Sequence, residues 1–435
     1  MTNAMKKILL GLAIIGMAYA AKAQITLTSL SRLGYDPHGV TAGQDGYYYG
    51  TTEFGQTNYY TGTFFKLSTN GTIDWLANMT NVTPNAPLIT TGNGVFYGTG
   101  GGVVNFGSIF KINSDGSFAS LVSFTGTNYP NAGRNPVSLT FGRDGLLYGT
   151  TGSGGSNDWG TVFKCTTNGV LTSLFSFVLS NGVSPTGITP KGVVLDDDGF
   201  LYGTCRDGGQ FGCGTFFRMS TNGALATLLN FSPNTNGSYP SKLMRGSDGF
   251  YYGTTGYGGG SAKYNAGTIF RISTNGLLTT LFEFNYYNGF GPNAAELREY
   301  NGAIYGSGGN TNGLFRFNPS TGEFKTIYTF TGSTTQVNLT ISDDGYMYGT
   351  VQGGVVQGGA VFKLNLNPGL PLTSIITYSN QPVIVFPMVQ SGVSPYTLQM
   401  NTNLASTNWV TVTNGVMMNA ILITNAPPAA FFRLQ

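Results

Sequence analysis

A single histidine limits the chemistry open to this 435-residue chain. A Ser-His-Asp arrangement needs an imidazole to take the serine proton, so any such site has to be built around His38. Asp36-Pro37-His38 places a carboxylate beside it. Glycoside cleavage needs instead two carboxyl groups flanking one bond. The acids in segments that read as loops are Asp36, Glu53, Asp158 and Asp207, and the sequence distributes them over different units without bringing any two together. Among the cysteines, Cys205 and Cys213 end one strand and begin the next across a short loop. Hairpin pairing there brings two Cβ atoms near bonding distance, so a disulfide is expected in an exported chain. No histidine or third cysteine lies near them, which argues against a zinc site. Asp196-Asp197-Asp198-Gly199 and Asp343-Asp344-Gly345 lack the alternating ligands and final glutamate of a calcium loop and read as turn acids. No metal and no cofactor is expected.

The elements that must position these residues follow from a repeat. A Tyr-Gly pair recurs at Tyr49, Tyr97, Tyr148, Tyr202, Tyr252, Tyr305 and Tyr348. A second mark, Phe followed by a cation, recurs in the same phase at Phe65-Lys66, Phe110-Lys111, Phe163-Lys164, Phe217-Arg218, Phe270-Arg271, Phe315-Arg316 and Phe362-Lys363. In the third unit, Pro136–Phe141, Leu146–Thr151, Thr161–Cys165 and Leu171–Phe177 read as four short strands a to d. Asp144-Gly145 and Asn168-Gly169 read as two-residue hairpin turns with both central residues at positive φ. Four antiparallel strands with a period near 50 residues describe a β-propeller blade. The last unit stops after Phe362-Lys363-Leu364, without a fourth strand. Ile25–Leu30 matches the missing strand, Val170–Leu174 of unit three. The expectation is therefore an all-β, seven-bladed propeller closed by its N-terminal strand, which leaves no blade edge open.

Asp-Gly-Leu-Leu-Tyr-Gly-Thr-Thr, then Gly-Thr-Val-Phe-Lys and Asn-Gly, resembles the GloVer tandem repeat over roughly residues 35–366. Blades two and six depart from it, with Gly98-Thr99-Gly100 and Gly306-Ser307-Gly308 in place of Gly-Thr-Thr. The resemblance implies a secreted bacterial protein of variable C-terminal anchoring and brings no catalytic residues. Residues 367–435 read as a small C-terminal β-sandwich, and their ending resembles modules of secreted verrucomicrobial proteins. They lack the apolar helix and basic cluster of a sorting anchor.

Residues 1–23 carry Lys6 and Lys7, the apolar run Ile8–Ala20 and Ala21-Lys22-Ala23, the order of a cleavable signal peptide. The mature chain from Gln24 then carries 18 charges of each sign. A neutral surface excludes counterion-driven nucleic-acid binding. No later run is long enough to cross a bilayer as a helix. A secreted or cell-surface monomer is expected.

Short turns on one side and long, varied b–c and d–a loops on the other mark the loop side as the working face. Tyr59, Tyr60, Tyr286 and Tyr287 occupy non-repeating loop positions and are the binding candidates. Phe106, Trp159 and Phe211 recur before the third strand and read as plugs between blades. Cys165 replaces Leu, Ile or Met at a repeated apolar position and reads as a buried free thiol. The seven cations after Phe read as stems packed between blades with heads at the turns. The functional expectation is a non-catalytic recognition or scaffold protein for a polysaccharide or a surface protein. The alternative is a polysaccharide hydrolase or lyase using Asp36, His38, Glu53, Asp158 or Asp207 at the pore mouth.

Overall fold

A computed structural model describes residues 27–33, 36–55, 61–101, 106–126, 133–180, 182, 184–260, 265–285, 296–308, 313–330, 334–342, 346–353 and 359–366 of the repeat region. Beyond it, residues 374–378, 381–385, 396–401, 410–416, 420–422 and 431–434 are described. The chain divides into Thr26–Leu366 and a second unit that takes in Asn367–Gln435. No helix occurs among the described residues.

The first unit is a seven-bladed propeller. Blade one runs Pro37–Ala42, Tyr48–Thr52, Thr61–Leu67 and Ile73–Thr80, each strand antiparallel to the next. Blades three, four and six repeat this order, while blades two and five split the first strand into two pieces. Blade seven takes Thr334–Ile341, Tyr346–Gly353 and Ala360–Asn365 from the end of the repeats. Leu27–Arg32 pairs antiparallel with the last of these, Leu27 opposite Leu364 and Arg32 opposite Ala360. First strands of neighbouring blades touch one another, so strand a of each blade is the innermost.

The two sequence marks turn out to be halves of one contact. The glycine after each repeated tyrosine lies directly across the ladder from the phenylalanine of the Phe-cation pair, as Gly149 does from Phe163. The ring covers the bare glycine. A Cβ there would sit 2.5–2.6 Å from the ring tip at Gly149, Gly203, Gly253 and Gly306. Glycine is required because no side chain fits beneath the ring. The tyrosine hydroxyl then donates to the turn aspartate at 2.7 Å in Tyr49–Asp45, Tyr148–Asp144, Tyr202–Asp198 and Tyr252–Asp248.

Blades are joined by a second repeated contact that the sequence reading missed. The glycine that opens strand c receives the proline that opens strand a of the next blade. A Cβ would lie 2.5–2.6 Å from Pro Cδ at Gly107–Pro136, Gly160–Pro190 and Gly214–Pro240, and at Gly359–Pro37 between blades seven and one. The residue before the proline has positive φ at Asn135, Thr189 and Tyr239. Its N–H donates back to the preceding blade, to Phe106 O, Trp159 O and Cys213 O at 2.8–3.1 Å. The core lies between blades. One cluster joins Tyr148 and Val162 of blade three to Leu201 and Phe217 of blade four.

The Asp-Gly turns differ from expectation. In blade three, Gly142 N–H donates to Leu146 O and Gly145 N–H donates to Gly142 O. Only Gly145 has positive φ, at 76°. This is a type I turn followed by a glycine bulge, which leaves Asp144 in an ordinary conformation and free to cap Leu146 N–H. The two-residue turn with both residues at positive φ occurs at Asn93-Gly94 and Asn301-Gly302, in the two divergent blades. Asparagine tolerates that conformation better than most residues.

The repeated cations reach the turns as expected, but the rings beneath Lys66, Arg218 and Arg271 belong to their own blades rather than to a neighbour. Lys66 lies over the Tyr47 ring at 3.7 Å and pairs with Asp45 at 3.3 Å. Arg218 and Arg271 lie over Phe200 and Phe250. Lys164 and Lys363 reach the carbonyls of Thr221 and Thr69 in the next blade, each at 3.4 Å.

The C-terminal unit holds two antiparallel three-stranded sheets. Ser374–Tyr378, Gln381–Val385 and Ala420–Leu422 form one. Val410–Val416, Tyr396–Asn401 and Phe431–Leu434 form the other.

Candidate functional site

The innermost strands set one residue of each blade at the same height around the axis. Gly39 marks this height in blade one: a Cβ there would touch Pro87 of blade two and Asn338 of blade seven at 3.1–3.2 Å. Gly192 marks it in blade four, between Ser138 Oγ of blade three at 2.7 Å and Lys242 Cγ of blade five at 3.3 Å. By ladder register, the blade-six residue at this height is Glu296. Most of the layer is small or apolar, and the charge is confined to blades five and six. Lys242 lies between the two pieces of blade five's innermost strand and keeps 35% of its side chain accessible.

Glu296 receives Arg298 Nη2 at 2.9 Å and Lys242 Nζ at 3.8 Å on the same oxygen, Oε1. Its Oε2 is buried without a hydrogen-bond partner. Burial raises the Glu296 pKa, but Arg298 and Lys242 outweigh it and hold the carboxyl below its usual range. Burial lowers the pKa of Lys242, with Glu296 opposing and Arg298 adding to the shift. One residue before Gly192, Lys191 has its pKa lowered by burial and by Arg206, with Asp207 opposing.

At the loop-side mouth, the first hairpin of blade one brings three candidates together, and Gln352 of blade seven joins them. His38 is 4% exposed. Its Nε2 lies 3.4 Å from Glu53 Oε2, and its Nδ1 lies 3.3 Å from Gln352 Nε2. The Gln352 amide also donates to Pro37 O at 3.2 Å. A carbonyl only accepts, so the amide N–H groups face Pro37 O and His38 Nδ1, and the imidazole proton sits on Nε2, toward Glu53. Asp36 O accepts the Glu53 N–H at 2.8 Å. Burial, then the Glu53 charge, raises the Asp36 pKa, and His38 partly offsets this.

This corrects one expectation. Asp36 and Glu53 flank one hairpin of blade one and are electrostatically coupled, rather than lying on separate blades. His38 itself is packed, on the first strand of blade one. The other two acids stand apart. Asp158 is taken up by Arg134, whose Nη2 meets Oδ2 at 2.9 Å, and by the Gly154 N–H. Asp207 lies 3.6 Å from Arg206 on blade four.

The disulfide expectation is also corrected. Cys165, Cys205 and Cys213 are all free thiols. The ladder pairs Cys205 with Thr215, so Cys213 falls two residues short of register and bridges to Gly208 instead. The Cys205 side chain points into the core against Gly187, whose Cβ position lies 2.9 Å from Sγ. Cys213 occupies the repeated position before the strand-c glycine, equivalent to Phe106 and Trp159, and acts as a small plug. Cys165 is buried as expected, and burial pushes its thiol up to about 11.

Of the supposed plugs, only Trp159 packs against the interior. Phe106 is 46% and Phe211 53% exposed, and Tyr257 in the next b–c segment is 42% exposed. Tyr257 meets Tyr239 edge-on at 5.8 Å, and Arg206 lies over Tyr239 at 4.9 Å. A depression of about 430 Å³ beside Phe211 is lined by Pro185, Gln210, Thr227 and Asn230. Tyr59, Tyr60, Tyr286 and Tyr287 lie outside the described residues. The functional features missed at first are the axial charges and the aromatics of blades four and five. Lys242 and Glu296 stand at register positions that are small, Pro or Asn in the other blades, and that contrast was readable.

Among solved structures, one titled streptogramin B lyase structure is similar with TM-score 0.56 and 18% identity, covering 80% of this chain and 99% of that one. A puromycin hydrolase S511A mutant complexed with PGG is similar with TM-score 0.52 and 12% identity, covering 84% of this chain and 61% of that one. At these identities the likeness concerns the fold alone. No curated protein matches the sequence. The family described as Gloeobacter/Verrucomicrobia repeat matches residues 16–190, 128–314 and 189–408, overlapping spans that run through all seven blades, and the chain belongs to that family.

Proposed function

We propose that the protein is exported through residues 1–23 and acts as a non-catalytic recognition or scaffold protein. Its b–c/d–a face holds a neutral polymer or a surface protein. The observation that carries this reading is the exposure of Phe106, Phe211 and Tyr257 in b–c segments of that face, together with the amides Gln210 and Asn230 that line a depression on blade four. Large aromatics left in solvent near hydrogen-bonding amides suit sugar rings or a partner with few charges. We also propose that the Leu27–Arg32 strand locks the ring and that the two C-terminal sheets pack as a sandwich. The antiparallel pairing of that strand and the Gly359–Pro37 contact support the closure.

The second reading is a polysaccharide hydrolase or lyase at the pore mouth. The coupling of Asp36 to Glu53 and His38 favours it. Against it, His38 Nε2 is buried, so substrate cannot reach that nitrogen. The test is a polysaccharide panel presented to residues 24–435, reading both retention and product release. Retention without product is expected, and it is lost in Phe211→Ala/Tyr257→Ala. Product release that disappears in Asp36→Asn or Glu53→Gln overturns the non-catalytic reading.

A further inference from the structure

We propose that the depression on blade four seats one pyranose unit of a neutral polysaccharide, held through the side-chain amides of Gln210 and Asn230. The site rests on the loop-face reading and gives its polymer a chemical class.

Blade repetition separates what the fold needs from what it does not. The glycine pair at the start of the b–c loop recurs as Gly154-Gly155, Gly208-Gly209 and Gly258-Gly259, all at positive φ. The residue after the pair is Ser156 in blade three and Gly260 in blade five, but Gln210 in blade four. The outer strand ends on Ser176, Asn230 and Glu283 in blades three, four and five. Serine, glycine or glutamate meets the blade geometry at these places, so the geometry does not dictate the two amides. Pro185, exposed on the loop that leads into blade four, completes the depression with Thr227.

The walls are set in advance. Thr227 Oγ1 donates to Pro185 O at 3.2 Å and Thr215 Oγ1 to Thr186 O at 2.9 Å, while the Gly209 N–H donates to Ser184 O at 2.8 Å. These bonds pin the incoming loop to the blade. Asn230 Oδ1 accepts the Gln210 N–H at 2.9 Å, which fixes that carboxamide. Among the described residues, Asn230 Nδ2 and the Gln210 side-chain amide have no protein partner. Walls ordered before binding lower its entropic cost.

The lining selects the ligand. Pro185, Gln210, Thr227 and Asn230 carry no charge, and their space of about 430 Å³ falls within the roughly 300–1,000 Å³ of small-molecule sites. A sugar hydroxyl both donates and accepts, and a carboxamide answers with both an NH₂ and a C=O. The Pro185 ring offers an apolar surface to the C–H groups of a pyranose. A uronate would lose water from its carboxylate and find no cation in the lining.

Galactomannan, xyloglucan and polygalacturonate are titrated into residues 24–435 by calorimetry, with methyl glucoside, galactoside and mannoside as competitors. Saturable binding of a neutral polymer, displaced by one of the glycosides, is expected, without binding of polygalacturonate. Asn230→Asp keeps the acceptor for the Gln210 N–H, as Glu283 Oε1 serves the Gly260 N–H at 2.8 Å in blade five. It should leave the melting temperature unchanged and weaken binding about tenfold by removing the Nδ2 donor. Gln210→Ala should weaken binding severalfold, and Ser156→Ala, the same place in blade three, should not alter it. Binding undiminished in Asn230→Asp and Gln210→Ala but lost in Phe211→Ala/Tyr257→Ala overturns this site and leaves the loop-face reading standing. Polygalacturonate bound as well as the neutral polymers also overturns it. Binding of no neutral polymer does so too, and the loop-face reading then rests on a protein partner.

Discussion

Single glycines carry much of this fold, and their roles differ in ways that substitution can separate. Gly160 has φ +96°, and its Cβ would lie 2.5 Å from Thr151 O and 2.6 Å from Pro190 Cδ. Gly145 has φ +76° with open space around it. Gly145→Ala should therefore cost only the left-handed backbone penalty, about 1–2 kcal/mol. Gly160→Ala adds overpacking at the blade junction, roughly 1–3 kcal/mol more. Urea unfolding of the two variants checks the difference. Asp196 supplies a second prediction at this scale. Its buried carboxylate accepts from Tyr251 OH at 2.6 Å and Arg245 Nη2 at 2.9 Å. Burial raises its pKa, but the bonds from Tyr251, the Asp197 N–H and Arg245 prevail and hold it below 3.8. A depressed carboxyl contributes stability that is present above its unfolded pKa and lost as pH falls through the folded one. Asp196→Asn is expected to destabilise by about 3–5 kcal/mol at pH 7, because Arg245 stays behind unpaired. That deficit should shrink below pH ~3.8, as the wild type loses its own contribution. Melting temperatures taken from pH 7 to pH 2 test the convergence.

Hairpin register decides what neighbouring side chains can do. Cys205 and Cys213 are close in sequence and flank one loop, yet the ladder sets Cys205 against Thr215 and turns its sulfur inward. A short maleimide or iodoacetamide pulse on the native protein should label Cys213 alone, with Cys165 and Cys205 reacting only after unfolding. Peptide mass spectrometry that finds Cys205 joined to Cys213 would contradict this register. Much at this scale was legible. The strands of a blade and their order follow from alternation and from Asp-Gly punctuation, whereas the tyrosine-to-aspartate bond emerges only from the fold. The turn type was not legible, because Asp-Gly serves both a two-residue turn and a longer turn with a bulge, and loop length decides between them.

For the molecule as a whole, closure of the ring is the central claim. Removing residues 24–33 takes away the strand paired to Ala360–Asn365 and exposes a new sheet edge. The truncated protein should melt earlier and self-associate, read by light scattering after size exclusion. A truncated chain that stays monomeric with an unchanged melting curve would show that the ring holds without this strand. Residues 24–435, the portion left by the proposed cleavage, carry 18 charges of each sign.

The sequence alone determined the class of fold, the number of repeats and the order of strands within a blade. Glycine under phenylalanine, tyrosine onto aspartate and cation onto aromatic are contacts within one blade, and each recurs often enough for its spacing to be read. Contacts between blades were harder to see. Gly160 and Pro190 belong to different units, and only the closed ring reveals that one seats the other. The contact of Gln352 with His38 required the last blade to meet the first across more than 300 residues. The axial layer required strands of different blades to converge, so that Gly192 packs against Ser138 of blade three and the stem of Lys242 of blade five. Local periodicity writes the blade into the sequence, but which side chains meet across blades depends on how the ring closes, and no spacing along the chain encodes that.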